Sequence, residues 1–356
     1  MKKLLANFAK LGVSLGLIIY LALDVQKNNP DLFERLRDGD KNWTLLVMAL
    51  IFMTSAVMLA ITRWYFLVRA VDLPFRLRDA FRLGFLGYLL NFISLGSVGG
   101  DLFKAVFIAR EHPGRRTAAV TSVLVDRAIG LVGLLVLACT ALAFVDIKPF
   151  SPAIRQLAIA TLVAGGLGLT GYLLMLFRFG TEGPVADWLC SLPVVGELLQ
   201  RVYQAAKMYQ QRRGVLILAM GITLCVHMLA VLSFLFIAHG LPEAAPSLGV
   251  HCFIVPLAMV SAALPLPLEG LGAFEAVLKY LYAQTTPDLA SDAKGLLVAL
   301  VYRVIRILVA LIGVGFYLSS RREVDHMIHE AEELEIEAEE RAAEQAAERA
   351  AGQISE

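Results

Sequence analysis

The sequence predicts an all-α, polytopic membrane protein with about six full spans and two re-entrant helical hairpins in an inverted repeat. Three observations predict it: the apolar content, the placement of the positive charges, and two apolar segments broken by glycine. Hydrophobic residues make up 58% of the chain, against roughly 45–50% in soluble proteins, and the mean hydropathy is +0.68.

Apolar windows long enough to cross ~30 Å of hydrocarbon run over Leu45–Phe66, Ala118–Val145, Leu157–Phe177, Val215–Ile237 and Leu296–Leu318. A further window, Leu4–Leu23, follows Lys2 and Lys3 in the manner of a signal peptide. No small-residue cleavage site follows it and Lys10 interrupts it, so it is expected to be the first span.

Lysine and arginine beside the spans set the direction of the chain. Lys2 and Lys3 put the N-terminus inside, and the mixed-charge segment Asp24–Asn42 lies outside. Arg63, Arg69, Arg76, Arg78 and Arg82 mark the next connection as inside, and Arg110, Arg115 and Arg116 mark the following one as inside too. The apolar stretch from Leu83 to Ala109 therefore begins and ends on one face. Two full crossings need roughly 40 residues, whereas legs of about ten residues reach ~15 Å each. A re-entrant hairpin with its tip near mid-membrane follows, turned by Gly96, Gly99 and Gly100.

The second half repeats the pattern upside down. Ala118–Val145 goes out and Leu157–Phe177 returns. Arg178, Arg201, Lys207, Arg212 and Arg213 then mark an inner loop, expected to hold an amphipathic surface helix around Leu192–Tyr209. Val215–Ile237 goes out again, and the final span must end inside beside Arg321 and Arg322. Residues Val250 to Ala283, with "LPLPLEGLGAFEAVLK" at their centre, thus leave and rejoin the outer face as a second hairpin.

The membrane domain, residues 1–319, divides into repeat one at about 1–146 and repeat two at about 156–319. Gly99, Phe103 and Ala105 match Gly270, Phe274 and Ala276 at one offset, which places Lys104 opposite Glu275. "LVDRAIGLV" from Leu124 lies over "LVYRVIRIL" from Leu300 and aligns Arg127 with Arg303. Residues 320–356 form an acidic tail with twelve Asp/Glu and four Lys/Arg, a net of −8. Its Ala- and Glu-rich stretch predicts a solvated cytoplasmic helix without sustained heptads.

Ionisable residues inside spans are candidate functional groups, because a charge at the bilayer centre costs ~2.5–3.5 kcal/mol or more. The substrate-binding candidates are Gly99, Gly100, Asp101, Lys104, Asp126, Arg127, Glu269, Gly270, Gly272, Glu275, Arg303 and Arg306. Glycines at a hairpin tip let a ligand approach the first N–H groups of the returning helix, which attract anions. Arginine offers a bidentate fork for phosphate, and the acids can compensate a cationic group. The bland readings are mutual pairing, and snorkelling of Asp126 and Arg127 to the inner interface. His227 is expected to be a packed, hydrogen-bonded histidine. Cys139, Cys190, Cys225 and Cys252 lack metal spacing and are expected to be buried structural thiols. Gly165, Gly166, Gly168 and Gly171 are expected to serve close helix packing. No nucleophile or metal motif points to an enzyme, and no cofactor, metal or nucleic-acid partner is expected. A homo-oligomer and a partner for the acidic tail are both compatible with the sequence.

The segments "GSVGGDLFKA", "VLVDR" and "LPLPLEGLGAFEAVL", with the span layout over about Met1–Ser320, resemble the lysylphosphatidylglycerol synthase transmembrane-region family, also called flippase-like proteins. The resemblance implies a polytopic protein that moves lipids or lipid-linked molecules between leaflets. It puts Asp101 in the place of the family's acid after the glycines, Arg127 in that of its arginine, and Glu275 in that of the second hairpin's glutamate. Leu268–Glu269 stands where Pro-Gly is commoner. Relatives fused to a soluble aminoacyl-transferase domain act as synthases; these residues contain none, so synthase activity is not expected.

The leading expectation is a flippase-type transporter of a phospholipid or lipid-linked substrate, in the inner (cytoplasmic) membrane, with both termini cytoplasmic. Its central polar cavity would open alternately to either side. The alternatives are an ion-coupled transporter of small anionic or zwitterionic solutes, a membrane-embedded lipid-modifying enzyme, and a scaffold.

Overall fold

Long unbroken apolar runs become long helices. The computed structural model describes residues 39–93, 99–112, 114–148, 150–176, 207–242, 244–262, 272–285 and 292–319, with positions 23 and 27 isolated. They form α1 (Trp43–Ala70), α2 (Leu77–Ile93), α3 (Gly99–Glu111), α4 (Arg116–Leu142) and α5 (Pro152–Leu176). A 3-10 turn at Gln210–Arg212 leads into α6 (Arg213–Gly240), followed by α7 (Leu248–Ala262), α8 (Ala273–Thr285) and α9 (Asp292–Ser319). Among the described residues there is no strand, as the all-α reading requires.

Five of these helices, α1, α4, α5, α6 and α9, are long and apolar enough to cross a membrane. They coincide with the five predicted windows and run a few residues further at most ends. The remaining predicted span, Leu4–Leu23, lies outside the described residues, as do most of Asp24–Asn42, the surface helix at Leu192–Tyr209 but for its last residues, Cys190, and the acidic tail. Large side chains such as Ile51, Leu167, Ile217 and Leu311 are each more than half exposed. So wide an apolar surface suits contact with acyl chains and not with water.

The outward apolar faces surround an interior built on α1 and α6, which run antiparallel along their whole length. The Asn42 N–H donates to the Gly240 carbonyl at 3.0 Å. Further along, the Ser233 hydroxyl donates to Ala49 O at 2.8 Å and the Tyr209 hydroxyl to Leu67 O at 2.9 Å. Phe52 stacks on Phe236 at 5.2 Å between ring centroids.

Around this axis the packing of the two halves corresponds element for element. Exchanging α1 with α6, α2 with α7, α3 with α8 and α4 with α9 turns one set of helix contacts into the other. α2 packs on α3 as α7 packs on α8, and α3 on α4 as α8 on α9. Each half's last span also lies against the other half's hairpin, α4 against α7 and α9 against α2. α1 and α6, which this exchange relates, are antiparallel.

The hairpin legs are longer than expected. α2 has 17 residues, α3 13, α7 15 and α8 13, so each reaches about 20–25 Å at 1.5 Å per residue. The excess arises at the outer ends. α2 begins at Leu77 in the basic segment before Leu83, and α3 continues to Glu111. The predicted tips, including Gly96 and "LPLPLEG", fall at 94–98 and 263–271, outside the described residues.

One charge was misplaced by sequence. Arg63 is assigned above to a connection, yet it lies inside α1 and is 6% exposed. The apolar run continues past it through Trp64–Val68, which keeps the helix going to Ala70.

Candidate functional site

The first hairpin closes on a crossing that only glycine allows. A Cβ on Gly100 would stand 2.0 Å from the Gly87 carbonyl oxygen, and one on Gly87 would stand 2.9 Å from the Gly100 oxygen. The Gly100 N–H, one of the orphan donors at the start of α3, donates to the Asn91 side chain at 3.0 Å. This amide, which the sequence reading leaves open to a ligand, is therefore capped from α2.

Asp101 stands in the first turn of α3, where the helix dipole favours a carboxylate. It accepts from Lys104 at 3.1 Å and, through its other oxygen, from Arg127 of α4. Lys104 also lies over the Trp64 ring, 5.3 Å from its centroid. The Trp64 indole N–H is buried without a hydrogen-bond partner. The Asp101 side chain is 15% exposed and that of Arg127 58%.

The second hairpin builds the same arrangement with different capping. Gly272 has a φ of +89°, a left-handed conformation that favours glycine. Its N–H donates to Glu275 Oε2 at 2.7 Å. The other oxygen, Oε1, accepts from Arg303 Nε at 2.9 Å and from a terminal guanidinium nitrogen at 2.6 Å. Glu275 is 0% exposed and the Arg303 side chain 11%, so this pair is closed where its counterpart is open. In both halves an acid in the first turn of the returning leg holds an arginine of the next span. That arginine stands eleven residues past the first residue of its helix, at 127 after 116 and at 303 after 292.

This pairing corrects the register of the repeat. The constant offset sets Lys104 opposite Glu275, whereas the ion pairs set Asp101 there, three residues away. The slip is close to one helical turn, which leaves apolar matches nearly intact.

Arg306 joins the two halves. Its Nε donates to the Tyr88 hydroxyl of α2 at 2.7 Å, and its guanidinium lies over the Tyr88 and Tyr302 rings at 5.0 and 5.7 Å. Tyr88 is one turn before Asn91, and Arg303 one turn before Arg306. Spaced about one turn apart on α9 and α2, the Glu275–Arg303, Arg306–Tyr88, Asn91–Gly100 and Lys104–Asp101–Arg127 contacts form a polar path of separate links. Glu269 and Gly270 lie outside the described residues.

Asp126 does not join this path. Adjacent residues on a helix point about 100° apart, and Asp126 turns to α1, accepting from Arg63 Nε at 2.8 Å. The two members of the Asp126–Arg127 dipeptide thus pair with different helices, Asp126 with α1 and Arg127 with α3. His227 is hydrogen-bonded, as expected, its Nε2 lying 2.9 Å from Gly130 O. Cys252 is buried and Cys139 half-buried, but Cys225 is exposed, against expectation. Of the α5 glycines, Gly165 packs tightly, since a Cβ there would meet Cys139 Sγ at 2.4 Å. A Cβ on Gly166 or Gly171 would meet nothing within 4 Å among the described residues, so packing between these helices does not explain them. Gly168 and Gly171 instead border an apolar cavity of about 170 Å³ with Val125, Ala128 and Tyr172. That cavity is not the polar one expected, and neither arginine lines it.

Sequence reasoning missed Arg63, Trp64, Tyr88, Asn91, Thr223 and Tyr302. Only Arg63 carried a usable signal, a charge with apolar residues on both sides. No curated protein matches the chain. The family model described as the lysylphosphatidylglycerol synthase TM region matches residues 7–313, and the chain belongs to that membrane-protein family.

Proposed function

We propose that this protein is a transporter, not an enzyme, that moves a lipid or lipid-linked substrate with a phospholipid-type headgroup between the leaflets of the cytoplasmic membrane. In this reading both hairpins are re-entrant, both termini are cytoplasmic, and no further partner is needed. The observation that carries it is the repeated acid–arginine pair, Asp101–Arg127 and Glu275–Arg303, at the first turns of two inversely related hairpins.

A phosphate competes with a carboxylate for guanidinium, since both present paired oxygens to the same fork. The displaced carboxylate is then left to meet a cationic part of the headgroup. Inverted repeats place transport sites at the repeat interface, where Arg306 and Tyr88 already join the halves. The unequal exposure of the two pairs is what alternating access requires: one side open, its mirror closed.

Vesicles of phosphatidylglycerol and phosphatidylethanolamine, carrying a fluorescent analogue of each, test the proposal with a quencher added outside. Purified protein should let quenching pass beyond the outer-leaflet fraction for at least one analogue. Arg127→Gln and Arg303→Gln should each abolish this. Quenching that stops at the outer leaflet for every lipid, with uptake of a soluble zwitterion instead, would move the assignment to the solute-transporter class.

A further inference from the structure

The lipid path leaves one buried charged cluster unused. Asp126 accepts from Arg63 Nε at 2.8 Å, and Arg63 donates from a terminal nitrogen to the Thr223 hydroxyl at 2.8 Å. The guanidinium lies over Gly130, its nitrogens 3.6–3.7 Å from where a Cβ would be. One turn beyond Thr223, His227 Nε2 reaches the carbonyl of the same Gly130. Because a carbonyl only accepts, that nitrogen carries a proton. Three membrane-spanning helices, α1, α4 and α6, thus enclose two titratable groups and one fixed positive charge.

We propose that this cluster is a proton-binding site, and that protonation of Asp126 opens the Asp101–Arg127 pair on the other side of α4. The proposal rests on the transport reading. The ligand class follows from charge. Arg63 repels a metal cation, whereas a proton enters by forming an O–H bond on the Asp126 carboxylate and needs no coordination shell. Acid and histidine groups buried in spans are the usual carriers of protons through membrane proteins.

On protonation the carboxyl loses its charge, and Arg63 keeps Thr223 as a partner. Asp126 and Arg127 are consecutive on one rigid helix, so a turn of α4 that relaxes the first contact must strain the second. The proton then leaves to water on the opposite side, which restores the Asp126–Arg63 bond.

The elements packed on α4 carry further titratable and charged groups. Arg63 of α1 bonds Asp126 itself, His227 of α6 bonds Gly130 one turn on, and Asp101 and Lys104 of α3 connect to Asp126 through Arg127. Tyr172 of α5 borders a cavity with Val125, while His251 and Cys252 are on α7, with His251 held by Tyr282. Tyr209, just before α6, lies close enough to feel the Asp126 charge, and its hydroxyl is engaged by Leu67 O.

Two readouts test the proposal. Infrared difference spectra of the purified protein between neutral and acid pH should contain, beside the signal of the other carboxyl groups, one protonated-carboxyl component that is lost in Asp126→Asn and returns, shifted, in Asp126→Glu. This readout does not depend on lipid movement, so its failure is separable from failure of the transport reading. In the vesicles above, a pH gradient should change the rate of lipid passage, and a proton–potassium exchanger should remove the change. Asp126→Asn should lose the response and Asp126→Glu retain it. His227→Gln should weaken the response, which covers the case in which Asp126→Asn does not fold. Carboxyl spectra of Asp126→Asn identical to those of the wild type, or wild-type passage indifferent to the gradient, would overturn the proposal.

Discussion

Asp101 and Glu275 hold equivalent places in unequal surroundings, and substitution should separate the two. Glu275→Gln leaves Arg303 without its anion in a site where the glutamate is 0% exposed. Breaking a buried pair from one side costs about 3–5 kcal/mol, so a marked fall in the unfolding temperature in detergent is expected. Asp101→Asn should cost far less, on the order of 1 kcal/mol, because the Arg127 side chain is 58% exposed and not enclosed by the protein. Its effect should instead appear as lost lipid passage per folded molecule. Equal losses of stability in the two variants would mean that the second pair is not the closed one. Residue types at these positions were legible in sequence, since eight ionisable candidates stood out against apolar spans. Their partners were not. Asp126 and Arg127 are neighbours in sequence yet serve different helices, and nothing in a one-dimensional string distinguishes two directions about 100° apart.

Helices meet through their glycines in some places and not in others. Gly100→Ala would drive a methyl to 2.0 Å from the Gly87 carbonyl oxygen, and backbone cannot yield as a side chain does. α2 and α3 should separate, with loss of folded protein on expression. Gly166→Ala and Gly171→Ala meet nothing within 4 Å among the described residues. They should be neutral or stabilise by about 0.5–1 kcal/mol, since glycine weakens a helix interior. Thermal unfolding of the three variants in one detergent checks the contrast, and a destabilising Gly171→Ala would mean an unseen neighbour. The glycine-rich character of both segments was visible beforehand. Which glycines mark contact depends on the crossing partner, and that partner is set by the tertiary arrangement.

At the scale of the molecule, two halves of opposite direction were legible in the placement of charge beside the spans and in the length of the apolar runs. The register between them was not, because a slip of three residues is nearly one turn and leaves apolar faces matched.

Helix packing leaves the hairpins' depth to experiment, and charge argues that both return to the side they enter. Arg78 and Arg110 are exposed at the outer ends of α2 and α3, and Ser247 and Gln284 sit at the corresponding ends of α7 and α8. A leg of 13 residues spans about 20 Å, short of the ~30 Å core. A complete crossing by α3 would leave Arg110 or the capped Gly100 in hydrocarbon. Only backbone that is buried in protein or lines water is tolerated at that depth, and the α2–α3 crossing at Gly87 and Gly100 provides such burial. With the four native cysteines replaced, single cysteines at Arg78 and Arg110 should be modified by an impermeant thiol reagent only from the cytoplasmic face. Those at Ser247 and Gln284 should react only from the outer face. Modification of Arg78→Cys and Arg110→Cys from opposite faces would make α2 and α3 one crossing and remove the inverted relation from the first hairpin. Modification of all four from one face would invalidate the charge-based threading of the second half while sparing the first.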